Sequence, residues 1–421
     1  MTKRPDHDLK LGHVDQCQIC NSRNLLPIID LGHQAPCDSL LTPAQLDEAE
    51  STYPLRLVRC PDCGLVQIDY VVPPRVLFHP EYPYRSGITP TLVRNLQATA
   101  TTIVDRFGLR ANALAMDIGS NDGTLLKGFQ SRGLRVLGVE ATNVANLAVA
   151  DGVDTIQAFF SEEIARQVRA EHGAAAAITA TNMFAHIPNL GDLLRGVEHL
   201  LDPGGVFVTE SHYLLDLIET RQYDSIYHEH LKYYSLQALI RLFEYYEFTV
   251  VDAERIPNYG GSIRVYAVKG QGHTQQQGLA DLLAAEQAAG LHGQQCYDSF
   301  AADVSRCRGD LQRLLLQLAQ DGRLAPGIGC PGRSSTLLNY CGIDTALMPY
   351  IAEQSTSLKL GLFLPGKHIP IVDEERLFRE QPEHAVMLSW HYADPIIRGL
   401  RNKGLRSKII VPLPEIRVVA A

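Results

Sequence analysis

The stretch "ALAMDIGSNDGTLLKGF", Ala113–Phe129, decides the fold. An apolar run ends at Asp117, a tight turn is bracketed by Gly119 and Gly123, and a helical apolar pattern follows. The next apolar run, "LRVLGVEAT" (Leu134–Thr142), ends in the acid Glu140. Strand, glycine turn, helix, strand and acid make up a nucleotide-cofactor unit: glycine lets the backbone approach the ligand, and the acid accepts bonds from ribose hydroxyls. A dinucleotide turn normally reads G-x-G-x-x-G and cradles a pyrophosphate on a helix N-terminus. Here Asp117, Asn121 and Asp122 stand where phosphates would lie. That chemistry suits a sulfonium and an ammonium, so S-adenosylmethionine is the expected cofactor rather than NAD.

The same rhythm continues outward. "DTIQAFF" (Asp154–Phe160) reads as a third strand, with Phe159 or Phe160 placed near an adenine. "AAAAITATNMFAHI" reads as a fourth, ending at Asn182 and running on to His186; "LDPGGVFVTES" reads as a fifth, entered through a Pro203-Gly204-Gly205 turn and ending at Glu210. Alternating strands and helices at this spacing predict a parallel, doubly wound sheet, whose ligands bind at the carboxyl ends of the strands. "FTVVDAERIPNYGGSIRVYAV" (Phe248–Val268) closes the block as an edge hairpin bent at Gly260-Gly261.

Toward the amino terminus, "CQIC" supplies Cys17 and Cys20, and "CPDC" supplies Cys60 and Cys63. Two C-x-x-C knuckles offer four soft ligands on two tight turns, the donor set of a closed, structural zinc site. Cys37, between the knuckles, has no pair and reads as a small buried hydrophobe. Toward the carboxyl terminus, amphipathic spacing over residues 290–320 predicts a connecting helix. "APGIGCPGRSSTLLNYCG" (Ala325–Gly342) then repeats the glycine-turn-and-helix pattern. Trp390, the only tryptophan, reads as packing.

The chain has 421 residues, 45% hydrophobic and 20% charged, with a formal charge of −9. That is globular composition for two or three domains. The acidic total argues against a nucleic-acid partner, and no apolar run is long enough for a membrane span. The start lacks an apolar signal core, so a cytoplasmic location is expected.

One segment carries more titratable chemistry than a structural element needs: "YDSIYHEHLKYYS", Tyr223–Ser235. A metal site on His228 and His230 is disfavoured, because positions i and i+2 do not share a helical face. "DIGSNDGTLL", "NMFAHIPNL", "GVFVTESHYLLDLIE", "YDSIYHEHLKYYSL", "YGGSIRVY" and "STLLNYCGI", taken in order, closely resemble the zinc-containing, S-adenosylmethionine-dependent sugar C-3'-methyltransferases. The resemblance covers essentially the whole chain. It implies an α/β protein with a zinc-binding domain (1–90), a central Rossmann-like class I methyltransferase domain (91–270) and a C-terminal Rossmann-like domain (271–421) that contributes to nucleotide-sugar binding. The implied substrate is a nucleotide-linked 4-keto-6-deoxyhexose, of TDP or GDP type, in a monomer or small homo-oligomer. His230 is implied as the base that removes the C-3' proton, with Tyr227, Glu229 and His186 beside it and an upstream tyrosine, Tyr84 or Tyr82. The cofactor set is Asp117, Gly119, Asn121, Asp122, Gly123, Glu140, Phe159, Phe160 and Asn182. Arg333, Ser335, Asn339 and His368 are the implied substrate contacts. Arg333-Ser334-Ser335 departs from the family's basic-residue-then-glycine pattern, as "GIGCPG" does from its plainer turn. A small-metabolite O- or N-methyltransferase is the alternative.

Overall fold

A computed structural model describes Pro5 and residues 9–77, 85–88 and 90–421. Strands are numbered in chain order. Near the amino terminus, β1 (Gly12–His13) pairs with β5 (Tyr70–Val71). An antiparallel sheet joins β2 (Leu26–Gln34), β3 (Tyr53–Arg59) and β4 (Val66–Ile68). Its fourth strand comes from far along the chain: β11 (Lys232–Tyr233), inside the His-Glu-His segment, pairs Lys232 with Gln67 and Tyr233 with Val66. The knuckle-bearing sheet and the histidine segment are therefore one piece of backbone hydrogen bonding.

The central sheet has seven strands: β6 (Leu114–Ile118), β7 (Arg135–Glu140), β8 (Thr155–Gln157), β9 (Ala175–Thr181), β10 (Leu201–His212), β12 (Phe248–Ile256) and β13 (Ser262–Lys269), ordered β8-β7-β6-β9-β10-β13-β12. The first five run parallel, and β13 is antiparallel to both β10 and β12. All five residues of β6 are buried, as a strand covered on both faces requires. Its side chains alternate: Leu114, Met116 and Ile118 join the core with Ala165, Leu193 and Val197, whereas Ala115 joins Leu96, Leu126 and Phe129 on the other face. The expected turn at Pro203-Gly204-Gly205 is instead an irregularity inside β10, exposed at Pro203 and Gly204 and buried at Gly205, where the register to β9 shifts between Leu201 and Val206. Proline cannot donate to the ladder, so the strand bulges around it. β10 also runs on past Glu210 to His212.

The C-terminal sheet contains β14 (Gly327–Ile328), β15 (Ile351–Glu353), β16 (Ile371–Asp373), β17 (His384–Met387), β18 (Lys408–Val411) and β19 (Arg417–Val419), ordered β16-β15-β14-β17-β18-β19. Strand order reverses beside β14, where a doubly wound sheet opens its crevice. The helix Gln294–Gln320 leads into it, as the amphipathic spacing predicts. Among the described residues, no helix is long and apolar enough to cross a membrane.

Candidate active site

The four knuckle cysteines converge. Their sulfur atoms lie within 4.8 Å of one another, with Cys17–Cys63 at 3.4 Å and Cys20–Cys60 at 3.5 Å. Cys17, Cys60 and Cys63 are buried. Asn21 (φ 59°) and Gly64 (φ 82°) take the left-handed conformation that turns each knuckle back on itself. Four thiolates cannot share this volume without a cation, and four protein donors close a tetrahedral shell. The residues fit a zinc ion held structurally.

The cofactor turn lies at the carboxyl end of β6. Asp117 is 3% exposed and accepts a 2.6 Å hydrogen bond from Thr179 Oγ1. Burial, with Glu140 nearby, pushes its carboxyl up to about 7. Gly119 has φ 71°, and a Cβ there would meet Met183 Cγ at 3.0 Å. Glu140 accepts from Asn121 N (3.0 Å) and from Thr142 N (2.9 Å) and Oγ1 (2.8 Å). Asn121 and Asp122 receive Ser86 N (2.8 Å) and Gly87 N (2.7 Å), which ties the turn to the segment before the helix Pro90–Phe107. Asn182, past the end of β9, has φ 56° and a buried Oδ1 without a partner among the described residues. The two phenylalanines differ: Phe160 packs against Gly196, whereas Phe159 is 59% exposed. Among the residues named here this cradle presents carboxylate and amide oxygens, so it fits an ammonium, a sulfonium and ribose hydroxyls better than a pyrophosphate.

The His-Glu-His run fans out in three directions. His228 turns back to the N-terminal sheet, where Nε2 donates to Pro54 O (3.2 Å) and the ring meets Tyr53 edge-on. Glu229 Oε1 accepts from the Cys37 thiol (3.4 Å); burial, with Asp38 nearby, pushes its carboxyl up to about 8. Cys37 is buried as expected, but its thiol is a donor and not a bystander. His230 turns inward, against Tyr227 (ring centroids 3.9 Å), His212 (4.6 Å) and His186 (4.8 Å). Its Nδ1 donates to Ser225 O at 2.8 Å. A carbonyl only accepts, so the neutral ring carries its proton on Nδ1 and a lone pair on Nε2.

Burial holds these imidazoles neutral. It takes His186 down to about 4, helped by Lys232, and His212 to about 3, helped by Arg333 and His186. His230 is also held well below the ordinary histidine range, first by burial and then by His212 and His186. Two bonds lock the His186 loop onto the same segment: Leu231 N donates to Ala185 O (3.1 Å), and Lys232 Nζ to Ile187 O (2.7 Å).

The C-terminal residues divide. Arg333 is 5% exposed and lies against the histidine segment: Nη2 donates to Gln222 Oε1 (3.1 Å) and Tyr259 O (3.4 Å), and the guanidinium sits 5.5 Å from the centre of the Trp390 ring. Trp390 Nε1 donates to Asp224 Oδ2 at 2.7 Å, so the tryptophan braces the segment as well as packing. Asn339 Nδ2 donates to Ser335 O (2.9 Å) and Pro365 O (3.1 Å). His368 pairs with Glu50 of the N-terminal block at 2.7 Å. The geometry thus brings Arg333 to the cluster and leaves Ser335, Asn339 and His368 in contacts within the protein. Tyr82 and Tyr84 lie outside the described residues. Sequence reasoning missed His212, although extending β10 by one alternation beyond Glu210 reaches it. His391, which burial takes down to about 2 with help from Arg333 and His212, carried no local signal.

Family models and a sequence relative agree with this arrangement. Three families match consecutive parts of the chain: a zinc binding domain over residues 17–78, a methyltransferase domain over 92–253 and a C-methyltransferase C-terminal domain over 257–414. C-methyltransferase NovU of Streptomyces niveus is 34% identical over 414 residues, 97% of each chain. Among solved structures, a SAM-dependent methyltransferase from Archaeoglobus fulgidus aligns at 14% identity and TM-score 0.35 over 42% of this chain and 94% of its own. The PH0226 protein from Pyrococcus horikoshii aligns at 15% and 0.35 over 45% and 97%. The assignment rests on the strand order, the cofactor turn, the cysteine cluster and the sequence relatives. The chain belongs to the zinc-containing, S-adenosylmethionine-dependent C-methyltransferases.

Proposed function

We propose that the protein methylates C-3' of a nucleotide-linked 4-keto-6-deoxyhexose through an enolate, with His230 as the base. Methylating carbon requires a carbon nucleophile, and a neighbouring ketone acidifies the C–H bond enough for a side-chain base to break it. The observation that carries the reading is the tautomer of His230. Its Nδ1 proton is committed to Ser225 O, and its Nε2 lone pair belongs to a buried, neutral ring beside the cofactor strands. His230 takes the C-3' proton on Nε2. Tyr227 and His186 confine the sugar against that nitrogen. Glu229, whose carboxyl stays protonated to about 8, is suited to donate to a sugar oxygen. S-adenosylmethionine supplies a sulfonium methyl whose carbon–sulfur bond breaks as the new carbon–carbon bond forms. Asp117, Glu140 and Asn182 would orient it, and Phe159 would cover its adenine. A general base of this kind contributes about 10²–10⁴ in rate.

Hydrogen exchange tests the reading. With a TDP-linked 4-keto-6-deoxyhexose in D₂O and no cofactor, the enzyme is expected to replace the C-3' proton by deuterium. Absence of exchange, together with O- or N-methyl products, would favour the small-metabolite alternative.

A further inference from the structure

Arg333 follows the glycine turn of the C-terminal sheet, where a phosphate contact would be expected. Its surroundings say otherwise. Two donors at the start of that turn are taken inside the protein: Gly329 N donates to Ala352 O (2.8 Å) and Cys330 N to Glu353 Oε2 (2.7 Å), while Lys359 Nζ bonds Cys330 O (3.0 Å) and Asp38 Oδ1 (3.1 Å). Asp38 and Cys37 lie so close that a Cβ on Gly332 would stand 3.3 Å from both Asp38 Oδ2 and Cys37 Sγ. Carboxylates therefore fill the anion-binding side of the turn.

The Arg333 side chain points away from it, into the histidine segment. Its Nε lies 3.8 Å from Asp224 Oδ2, and Asp224 adjoins Ser225, whose carbonyl holds His230. Tyr259, whose carbonyl accepts from Arg333, lies with its ring 6.3 Å from that of His212, which packs on His230. Arg333 Nη1 is buried and has no partner among the described residues. The imidazoles around it are held neutral, so they offer no positive charge to a developing anion.

We propose that Arg333 Nη1 donates to the enolate oxygen formed at C-4', which makes Arg333 a catalytic residue at the reacting end of the sugar and not a contact to its diphosphate. This rests on the enolate reading above. As the C-3'–H bond breaks, the proton passes to His230 Nε2, its electron pair forms the C-3'–C-4' double bond, and the carbonyl π pair moves to oxygen beside the guanidinium. When C-3' is methylated the carbonyl reforms and the charge leaves. A fixed, buried cation stabilises that oxygen without reorganisation.

The test uses the full-length, zinc-loaded enzyme with TDP-4-keto-6-deoxyglucose and with TDP alone. Arg333→Gln is expected to slow C-3' deuterium exchange by about 100-fold or more, the usual effect of losing one oxyanion donor. TDP affinity, measured by calorimetry, should stay within about three-fold. Added guanidinium should restore part of the exchange in Arg333→Ala, and Arg333→Lys should fall between wild type and Arg333→Gln. Unchanged exchange in Arg333→Gln would overturn the proposal. So would a loss of TDP affinity matching the loss of rate, which would make Arg333 a diphosphate contact. A wild type that exchanges nothing on this probe overturns the enolate reading and the proposal with it, whereas an exchanging wild type with indifferent Arg333 variants overturns only the proposal. Melting curves identify any variant that fails to fold, and Arg333→Lys, which keeps the charge, then carries the comparison.

Discussion

His230→Asn separates orientation from base chemistry. The amide nitrogen of asparagine overlays Nδ1 of histidine, so the 2.8 Å bond to Ser225 O survives while Nε2 disappears. The ring is packed against Tyr227, His212 and His186, and the few atoms removed leave a small gap; the cost to stability should be about 1–2 kcal/mol. The loss in kcat should be about 10²–10⁴-fold, the contribution of a positioned base. At about 1.4 kcal/mol per decade, that is roughly 3–5 kcal/mol of barrier. The assay is the initial rate of methyl transfer from labelled cofactor, with cofactor affinity measured in parallel and expected within a few-fold of wild type. Turnover within tenfold of wild type would refute the assignment of His230 as the base. A loss of cofactor binding equal to the loss of rate would place His230 in the cofactor site instead.

Two further outcomes follow from the fold and its charges. Metal analysis should find one zinc per chain. Cys60→Ser should lose both the metal and most turnover, because β4, which follows that knuckle, pairs with β11 two residues after His230; full activity without zinc would disconnect the two sites. Acid should destabilise the protein from pH 6.5 downward. His186, His212, His228, His230 and His391 all have folded values below the ordinary histidine value, so the unfolded chain binds more protons and stability falls as pH drops through 6.5 toward about 4. Asp117 and Glu229, raised to about 7 and about 8, oppose this, as do Asp216, Asp224 and Glu286, which burial also raises; His199 and His384 are lowered as well, so seven imidazoles face five carboxyls. Each net group contributes about 1.4 kcal/mol per pH unit. A urea midpoint that does not fall between pH 6.5 and 4.5 would contradict the neutral-histidine cluster.

Much of this was legible locally. Gly119-Ser-Asn-Asp-Gly123 carries its own turn chemistry, and Glu140 follows one strand later, so the cofactor turn needs no tertiary information. The two C-x-x-C knuckles are equally self-contained. The rest depends on packing. Lys232 and Tyr233 carry no strand signal of their own, yet they add a strand to the N-terminal sheet. Arg333 reads as a glycine-turn residue until Asp38, from the far end of the chain, is seen against that turn. His212 gains its place only from the ring of His230, and Pro203 becomes a bulge only because Leu201 pairs before it. Local backbone rules fix turns and strands, but which side chains meet at the carboxyl ends is set by contacts between separate elements, from His212 and His230 within one domain to Lys359 and Asp38 at opposite ends of the chain.

The most direct test of the account is the position of the transferred methyl. The enzyme should be incubated with ¹³C-methyl-labelled cofactor and a panel of nucleotide-linked 4-keto-6-deoxyhexoses, and the product examined by NMR. The account predicts a new methyl carbon bonded to C-3', coupled to the sugar ring carbons. A label bonded to oxygen or nitrogen would contradict it.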